Sequence, residues 1–306
     1  MRKLRRILVV VGGALAVIVF CLYWAGPVAL SLWTARKVPD RARLVPEDLK
    51  DASVSPSAGD KLSYFGYVFE LPWSDIDASQ SRTTNVNQAV IIFRSGLQMS
   101  VTELPPKETI NGLAKSYATP QTVTPFIASE FGVEATRSDY EFLRHLYNFT
   151  PEKMNRWALS PATHYRESML LTIKSATLLP WADSGIFNIR NSEYAGFQQG
   201  SPDARPVGIV LTLYSEDGGI EFVFAQKKYQ NPAGVSQAEI NRVIQSVRKP
   251  TAGGPPLRTL QGWDSDKCWQ QRQLRRRLPP QLRFWPLIDL HHAELSISIA
   301  AIAAPE

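Results

Sequence analysis

Residues 7–35 carry no charged side chain, and the first part of this stretch is almost wholly aliphatic. At a rise of about 1.5 Å per residue, about 20 such residues form a helix that crosses the roughly 30 Å hydrocarbon layer of a bilayer. Because lipid offers no hydrogen-bond partners, a lone segment of this length satisfies its backbone only as a helix. The sequence therefore predicts a transmembrane helix over residues 7–26, in direct contact with membrane lipid.

The flanks of this stretch favour an anchor that is kept. Tyr23 and Trp24 stand where aromatic side chains collect at the membrane interface, and Pro27 is predicted to end the span. A cleaved signal peptide is the alternative, because it shares a basic start such as residues 1–6. Its apolar core is normally about 7–15 residues long, whereas the stretch here is longer.

Four basic residues lie within residues 1–6, and four more lie within residues 36–43. The first cluster is tighter and closer to the lipid, and a short N-terminal tail usually keeps its positive end in the cytoplasm. We therefore expect the rest of the chain on the outer side of a bacterial inner (cytoplasmic) membrane. A cytoplasmic domain is the alternative.

Gly12 and Ala16 form a small-xxx-small pair within the predicted span. Such a pair brings two helices together in some membrane proteins and would give a helix-mediated homodimer. Small residues are also tolerated in lipid without any pairing, and this is the commoner explanation.

Charge is distributed unevenly along the chain. Residues 1–50 carry nine Lys or Arg against three acids, residues 51–250 carry eighteen against twenty, and residues 251–306 carry seven against five. The formal net charge of +6 therefore lies at the two ends, while the middle is close to neutral. A nucleic-acid-binding domain would carry a basic patch on its folded part, so no nucleic-acid partner is predicted.

Composition divides the chain into five parts. Residues 1–6 form a basic tail and residues 7–26 the predicted helix. Residues 27–63, with several prolines among scattered charges, are predicted to be an interfacial segment and a tether. Residues 64–249 carry the periodic apolar patterns of a soluble domain large enough for a buried core. Residues 250–306 are predicted to be a Pro- and Arg-rich tail of low order.

Several stretches of the soluble domain have the two-residue period of β-strands. Residues 64–71 are aromatic and β-branched, end before a proline, and are predicted to be one strand. Residues 88–94 and 97–103 flank a Ser-Gly turn and predict a hairpin. Residues 207–214 and 220–226 predict a second hairpin, with alternate apolar residues on one face of each strand. Two short strands are predicted at residues 185–190 and 193–198.

Helical spacing occurs between and after these strands. Tyr140, Leu143 and Tyr147 predict one amphipathic helix, and a second is predicted to begin at Ser160, whose side chain would cap its first turn. Its predicted apolar face consists of Tyr165, Met169, Ile173 and Ala176. A last helix over residues 237–247 begins with the Ser-x-x-Glu spacing of a capping box, Ser236 and Glu239.

Tight turns join consecutive strands, and no βαβ alternation occurs. The predicted fold class is therefore α+β, an antiparallel β-sheet with helices packed on its faces, preceded by one transmembrane helix.

Residues 67–73, Tyr-Val-Phe-Glu-Leu-Pro-Trp, resemble the opening strand of the PsbP-like fold family. The closing hairpin and residues 239–247 resemble the final strands and helix of that family, so that the resemblance runs from Tyr64 to Arg248. The helical stretch over residues 107–179 is longer than the family pattern. The resemblance implies a non-enzymatic role in binding or assembling other proteins, and it transfers no site residues.

No sequence motif predicts a catalytic, cofactor-binding or metal-binding residue, because no nucleophile elbow, phosphate loop or dinucleotide fingerprint occurs. None of the four histidines has the spacing typical of a zinc site. Glu141 with His145, and His164 near Glu167, come closest to a catalytic pair. Exposed ion pairs explain such spacing more often.

The tail contains an Arg-Arg-Arg run at residues 275–277 and several tryptophans. Three interpretations are open: a basic, aromatic segment that touches anionic lipid, a disordered extension, or a segment translated out of frame.

The leading functional prediction is a single-pass membrane protein whose outward domain binds or helps to assemble a protein partner, without catalysis. The alternative is a membrane-tethered hydrolase with a site near His145 or His164.

Overall fold

The structure is a computed structural model that describes residues 2–50, 53–56, 59–117, 120–155, 158, 160–204, 208–226 and 235–249. The predictions for residues 250–306 lie outside the described residues. The α-helices are α1 (Arg2–Lys37), α2 (Glu108–Tyr117), α3 (Pro120–Phe131), α4 (Asp139–Asn148), α5 (Pro161–Thr177) and α6 (Gln237–Ser246). The strands are β1 (Glu47–Asp48), β2 (Lys61–Tyr64), β3 (Tyr67–Glu70), β4 (Arg82–Asn85), β5 (Gln88–Ile92), β6 (Leu97–Leu104), β7 (Ile186–Arg190), β8 (Ala195–Gln199), β9 (Gly208–Ser215) and β10 (Gly218–Gln226).

Eight strands form one sheet in the order β1-β7-β8-β9-β10-β6-β5-β4. Neighbouring strands are antiparallel except for the short parallel pair of β1 and β7. The strands β2 and β3 form a separate two-stranded hairpin. The prediction of an α+β domain dominated by antiparallel pairing is therefore confirmed.

Both faces of the sheet are covered, because alternate side chains of each strand point to opposite sides. On one face, Leu211 of β9 lies opposite Phe222 of β10, and both pack with α6 and the β2–β3 hairpin. On the other face, Phe197 and Tyr214 pack with α2, α3, α4 and α5. The helices thus cover both faces, as predicted.

Both predicted hairpins of the sheet are present. In the turn between β5 and β6, Gly96 has a φ of 88°, and Gly218 at the start of β10 has a φ of 118°. Residues with a Cβ atom rarely adopt these backbone conformations. The apolar residues Ile209, Leu211 and Leu213 share one buried cluster with their predicted partners Ile220, Phe222 and Phe224.

The prediction of a single strand over residues 64–71 was wrong. The segment contains the turn of the β2–β3 hairpin, formed by Phe65 at φ 53° and Gly66 at φ 76°. Two residues with positive φ give the turn that best matches the twist of antiparallel strands. Phenylalanine rarely takes this conformation, and for that reason the aromatic run concealed the turn.

The helix α1 extends beyond Pro27, where the span was predicted to end, and continues to Lys37. Proline removes one backbone hydrogen bond and crowds the preceding turn, so it often ends a helix. Here Pro27 is itself buried, and the turns that follow it pack against α5. Tertiary packing therefore offsets the local cost of the proline.

The residues between α1 and β2 were predicted to be a tether, but the described ones lie along the domain. Ala42 is fully buried, and β1 pairs with β7. The backbone N–H of Ser55 donates to Ala238 O at 2.9 Å, and Asn241 donates to Ser53 O at 2.8 Å. These partners are remote in sequence, so the local composition of the segment did not reveal them.

Two predictions for α5 were wrong in detail. Ser160 stands at the N-cap but makes no capping hydrogen bond with its side chain. On the predicted apolar face, Tyr165 and Ala176 are exposed, whereas His164, Glu167 and Lys174 are buried elsewhere on the helix. The true buried surface of α5 is partly polar, and hydrophobic periodicity alone does not detect such a surface.

The capping box of α6 is present as predicted: Ser236 Oγ accepts from Glu239 N at 3.3 Å, and the Glu239 carboxylate accepts from Ser236 N at 2.8 Å. We predict that Ser236→Ala lowers the free energy of unfolding by about 1 kcal/mol, because the backbone N–H of Glu239 loses its acceptor. Ser160→Ala is the matched control and should change little. Urea unfolding of the full chain in detergent measures both, and equal effects would contradict the assigned cap.

Candidate functional site

The last turns of α1 pack along α5, and at this junction the apolar helix meets the domain. Pro27, Ser31 and Thr34 are buried, and their spacing places them on one face of α1. Nearer the N-terminus, Leu15 is 63 % exposed and Phe20 is 67 % exposed. The helix α1 therefore has one buried face between Pro27 and Thr34, whereas its side chains over residues 11–20 are uncovered.

His164, one of the two histidines singled out in the sequence, lies at the centre of this junction. Its side chain is 1 % exposed, with Nδ1 3.3 Å from Ser31 Oγ and Nε2 3.1 Å from Ala158 O. A carbonyl oxygen only accepts, so Nε2 carries a proton. The Ser31 hydroxyl donates to Val28 O at 2.9 Å within α1, and the contact of Ser31 with His164 links α1 to the start of α5.

A serine beside a histidine is the arrangement of a nucleophile and its base, but access to substrate is also required. Ser31 is only 3 % exposed and His164 only 1 % exposed, so neither side chain is open to a substrate in the described structure. The other ring nitrogen of His164, Nε2, faces the backbone carbonyl of Ala158 rather than a carboxylate. The geometry makes the pair a buried polar contact that holds α1 against α5.

His145, the other singled-out histidine, lies on α4, away from this pair. Its ring stacks on Phe131, with ring centroids 5.7 Å apart. Its predicted partner Glu141 instead forms an ion pair with Arg144 at 2.7 Å. The structure therefore assigns His145 a packing role between α3 and α4.

The helices α1 and α5 run in the same direction. Ser31 contacts His164 near the start of α5, whereas Arg41 Nε donates to Leu178 O beyond its end, about 21 Å further along the axis. In an antiparallel arrangement, Lys37 would lie about 30 Å from Leu178. The four residue steps from Lys37 to Arg41 span at most about 14 Å. Even with the arginine side chain added, this length is too short for Arg41 to reach Leu178. The start of α5 is therefore the end nearest to the apolar part of α1.

Lys174 stabilises the packing of the C-terminal end of α5. Its side chain is fully buried, and Nζ donates to Leu44 O and Tyr147 O at 2.7 Å and to Phe149 O at 2.9 Å. An ammonium group has three donors, and each has a carbonyl partner here. Burial, together with the nearby charge of Lys153, lowers the pKa of Lys174 to about 8, so the ammonium form still dominates at neutral pH.

Two further contacts hold the segment after α1. Arg43 Nη1 lies 3.0 Å from the Glu152 carboxylate, and Arg43 Nη2 donates to Ala35 O at 2.7 Å. Because these groups are largely exposed, they contribute less than the buried lysine. The contact with Glu152 joins the 3-10 turn Asp40–Arg43 to the domain, and the contact with Ala35 joins it to α1.

Two other acids, the buried Asp139 and the partly buried Glu221, lie on the helical side of the sheet, and no sequence pattern singled them out. Asp139 accepts from Thr109 N at 2.9 Å and Ile110 N at 3.0 Å, so it caps the start of α2 from a distant position. Burial raises its pKa despite these bonds. Glu221 lies on β10, and removal from water raises its pKa to about 7.

The described surface carries at least two grooves. The edge groove, about 440 Å³, lies between residues 44–50 and the turns near Asp183 and Ser201, with apolar walls from Val45 and Phe187. The other, about 340 Å³, lies between α6 and β3, where the Arg242 guanidinium donates to Glu70 and to Ser55 O, both at 2.8 Å. Within the described part of the chain, no group of three or more His, Cys, Asp or Glu side chains is placed to hold a metal ion.

No protein-family model matches the chain, and neither the characterised proteins nor the solved structures give a match. The resemblance to the PsbP-like family therefore stays a prediction, and the functional argument rests on the geometry of this chain.

We predict that Lys174→Met lowers the free energy of unfolding by about 3 kcal/mol, because three backbone carbonyls in a buried site lose their donor. Lys153→Met is the matched control, since Lys153 is exposed and donates only to Asn148 O. It should cost less than about 0.5 kcal/mol. Denaturant unfolding of the full chain in detergent measures both values, and a Lys174→Met variant as stable as the wild type would contradict this role.

Proposed function

We propose that this protein is a single-pass membrane protein whose α+β domain lies on the outer side of a bacterial inner membrane. There it binds or helps to assemble a protein partner, and it does so without catalysis.

The observation that carries this proposal is the division of α1 into two parts. Residues 11–20 have exposed side chains and are strongly apolar, whereas the turns from Pro27 onward pack on α5. Residues 7–26 give a helix about 30 Å long, the thickness of the hydrocarbon layer. The uncovered apolar side chains of residues 11–20 are stable in lipid and costly in water.

Within the described span Val11–Lys37, the most apolar stretch of 18 residues has a mean hydropathy of 2.1. Only 13 % of this stretch is buried. The core helix of a soluble protein would be mostly buried, so this value supports contact with lipid. A signal sequence has similar composition, but here the apolar helix runs on without interruption into turns that form part of the folded domain.

The orientation follows from charge. The basic residues that precede α1's apolar part form the tighter cluster, and a cluster of this kind is retained on the cytoplasmic side. The domain is then on the outer side.

The surface of the domain supports a binding role. The edge groove combines apolar walls with the charged groups Glu47, Lys50 and Asp203, a mixture typical of surfaces that bind another protein chain. The near-neutral charge of the domain favours recognition by shape and apolar contact rather than by strong electrostatic steering. The groove lies beside the segment that follows α1, at the end of α5 that is further from the apolar part of α1, so a bound partner would be held on the side of the domain away from the membrane.

Membrane anchoring is tested by washing membranes with alkaline carbonate and by fusing alkaline phosphatase after Lys249. We expect the full chain to stay in the membrane pellet and the fused enzyme to be active, because that enzyme works only outside the cytoplasm. A chain that lacks residues 2–26 is the control and should be released. Release of the full chain, or a mature chain that begins after residue 26, would contradict the anchor.

Partner binding is tested by purification of the full chain from a detergent extract. A stoichiometric protein partner is expected with the wild type and with Val86→Lys, and it should be lost with Val45→Lys. Both valines are exposed, but only Val45 lines the edge groove.

A bound small molecule in place of a protein would contradict the proposal and favour the hydrolase alternative at His145 or His164. In that case His164→Gln, which retains a donor for Ala158 O, should abolish hydrolysis.

A further inference from the structure

The end of the domain nearest to the apolar part of α1 carries exposed apolar side chains. Tyr165 at the start of α5 is 40 % exposed, Val133 after α3 is 70 % exposed, and Trp33 on α1 is 60 % exposed. The ion pair of Glu130 with Arg166, at 2.9 Å, joins the end of α3 to the start of α5. This ion pair brings the neighbours Val133 and Tyr165 to the same end of the domain. We call Trp33, Val133 and Tyr165 the apolar rim.

The depth of the rim follows from the parallel packing of α1 and α5. If the hydrocarbon layer ends near residue 26, Ser31 lies about 7 Å beyond it, at a rise of about 1.5 Å per residue. His164 contacts Ser31, and Tyr165 is the next residue. The headgroup layer on each side of the hydrocarbon is about 5–8 Å thick. The backbone of Tyr165 is therefore level with the outer part of the headgroups.

The direction of the helices brings the rim side chains closer still. Side chains of an α-helix lean toward its N-terminus. Because α1 and α5 both run away from the predicted membrane segment, the rings of Trp33 and Tyr165 lean toward the bilayer. Aromatic rings with one polar atom are the side chains most enriched at this depth.

The charges beside Val133 and Tyr165 are paired. Arg166 pairs with Glu130, and Arg137 pairs with Glu134 in the turn that contains Val133. The contact of Val133 and Tyr165 with lipid therefore rests on apolar and aromatic side chains, whereas the basic residues Arg36 and Lys37 follow Trp33 on α1.

We propose that the apolar rim lies in the headgroup layer of the same bilayer that holds α1, so that the domain rests on the membrane in one fixed orientation. This inference rests on the proposed anchoring, and its ligand is the lipid surface itself. The rim and α1 would then bind lipid together, which fixes both the tilt and the rotation of the domain.

The test compares two positions on one face of α5. Tyr165 and Ala176 are both exposed and lie eleven residues apart, which is three turns and about 16 Å along the helix. In a background with Cys21→Ser and Cys268→Ser, Tyr165→Cys and Ala176→Cys are each labelled with a polarity-sensitive fluorophore. The full chain is then reconstituted in phosphatidylcholine vesicles that contain a lipid with a headgroup nitroxide.

We expect the nitroxide to quench the label at position 165 at least about twofold more than the label at position 176, because only the first lies at headgroup depth. In the same vesicles, the label at position 165 should also report a less polar surrounding than the label at position 176. Val133→Cys provides a second rim position and should behave like Tyr165→Cys.

Equal quenching at positions 165 and 176 in protein that stays with the vesicles would overturn the inference, and so would protection of position 165 by a bound protein. Failure of the proposed anchoring gives a different result, because the labelled chain would then separate from the vesicles during flotation. The two failures are therefore distinguishable.

Discussion

The buried ammonium group of Lys174 is the interaction on which the arrangement of the helices depends. It joins the end of α4, the body of α5 and the segment that follows α1 through three backbone carbonyls. A charge in a fully buried position is costly unless every donor has a partner, and here every donor has one. The ammonium group of Lys174 loses its hydration, and in return its three hydrogen bonds hold these three segments together.

This arrangement changes what the apolar helix does for the protein. A flexible tether would let the domain rotate freely above a membrane, whereas α1 is fastened to α5 at Ser31 and the chain after it at Arg41 and Leu44. Orientation of a domain at a surface is set by stiff connections rather than by the length of a linker. The proposed binding surface and the proposed lipid contact both follow from this stiffness.

Much of the fold was predictable from local patterns. The hairpin of β9 and β10 was recognised by alternation across a short polar turn, and α6 by its capping box, because neighbours in sequence supply these interactions. The hairpin of β2 and β3 was missed because Phe65 occupies a turn position that sequence preferences assign to glycine or asparagine. In the candidate site, the sequence singled out His164 for its chemistry. Its role as a buried contact between α1 and α5 depends on Ser31, which is remote in sequence.

The sequence by itself determined the long apolar helix, the near-neutral α+β domain and the hairpins of its sheet, because composition and periodicity act within a few residues along the chain. Only the tertiary structure decided that residues beyond Pro27 belong to the folded domain, and that Lys174, His164 and Asp139 are buried. Each of these polar groups is stable in the interior only when a distant backbone or side-chain group supplies its hydrogen bond. Such partners are brought together by the complete fold, so no local pattern records them.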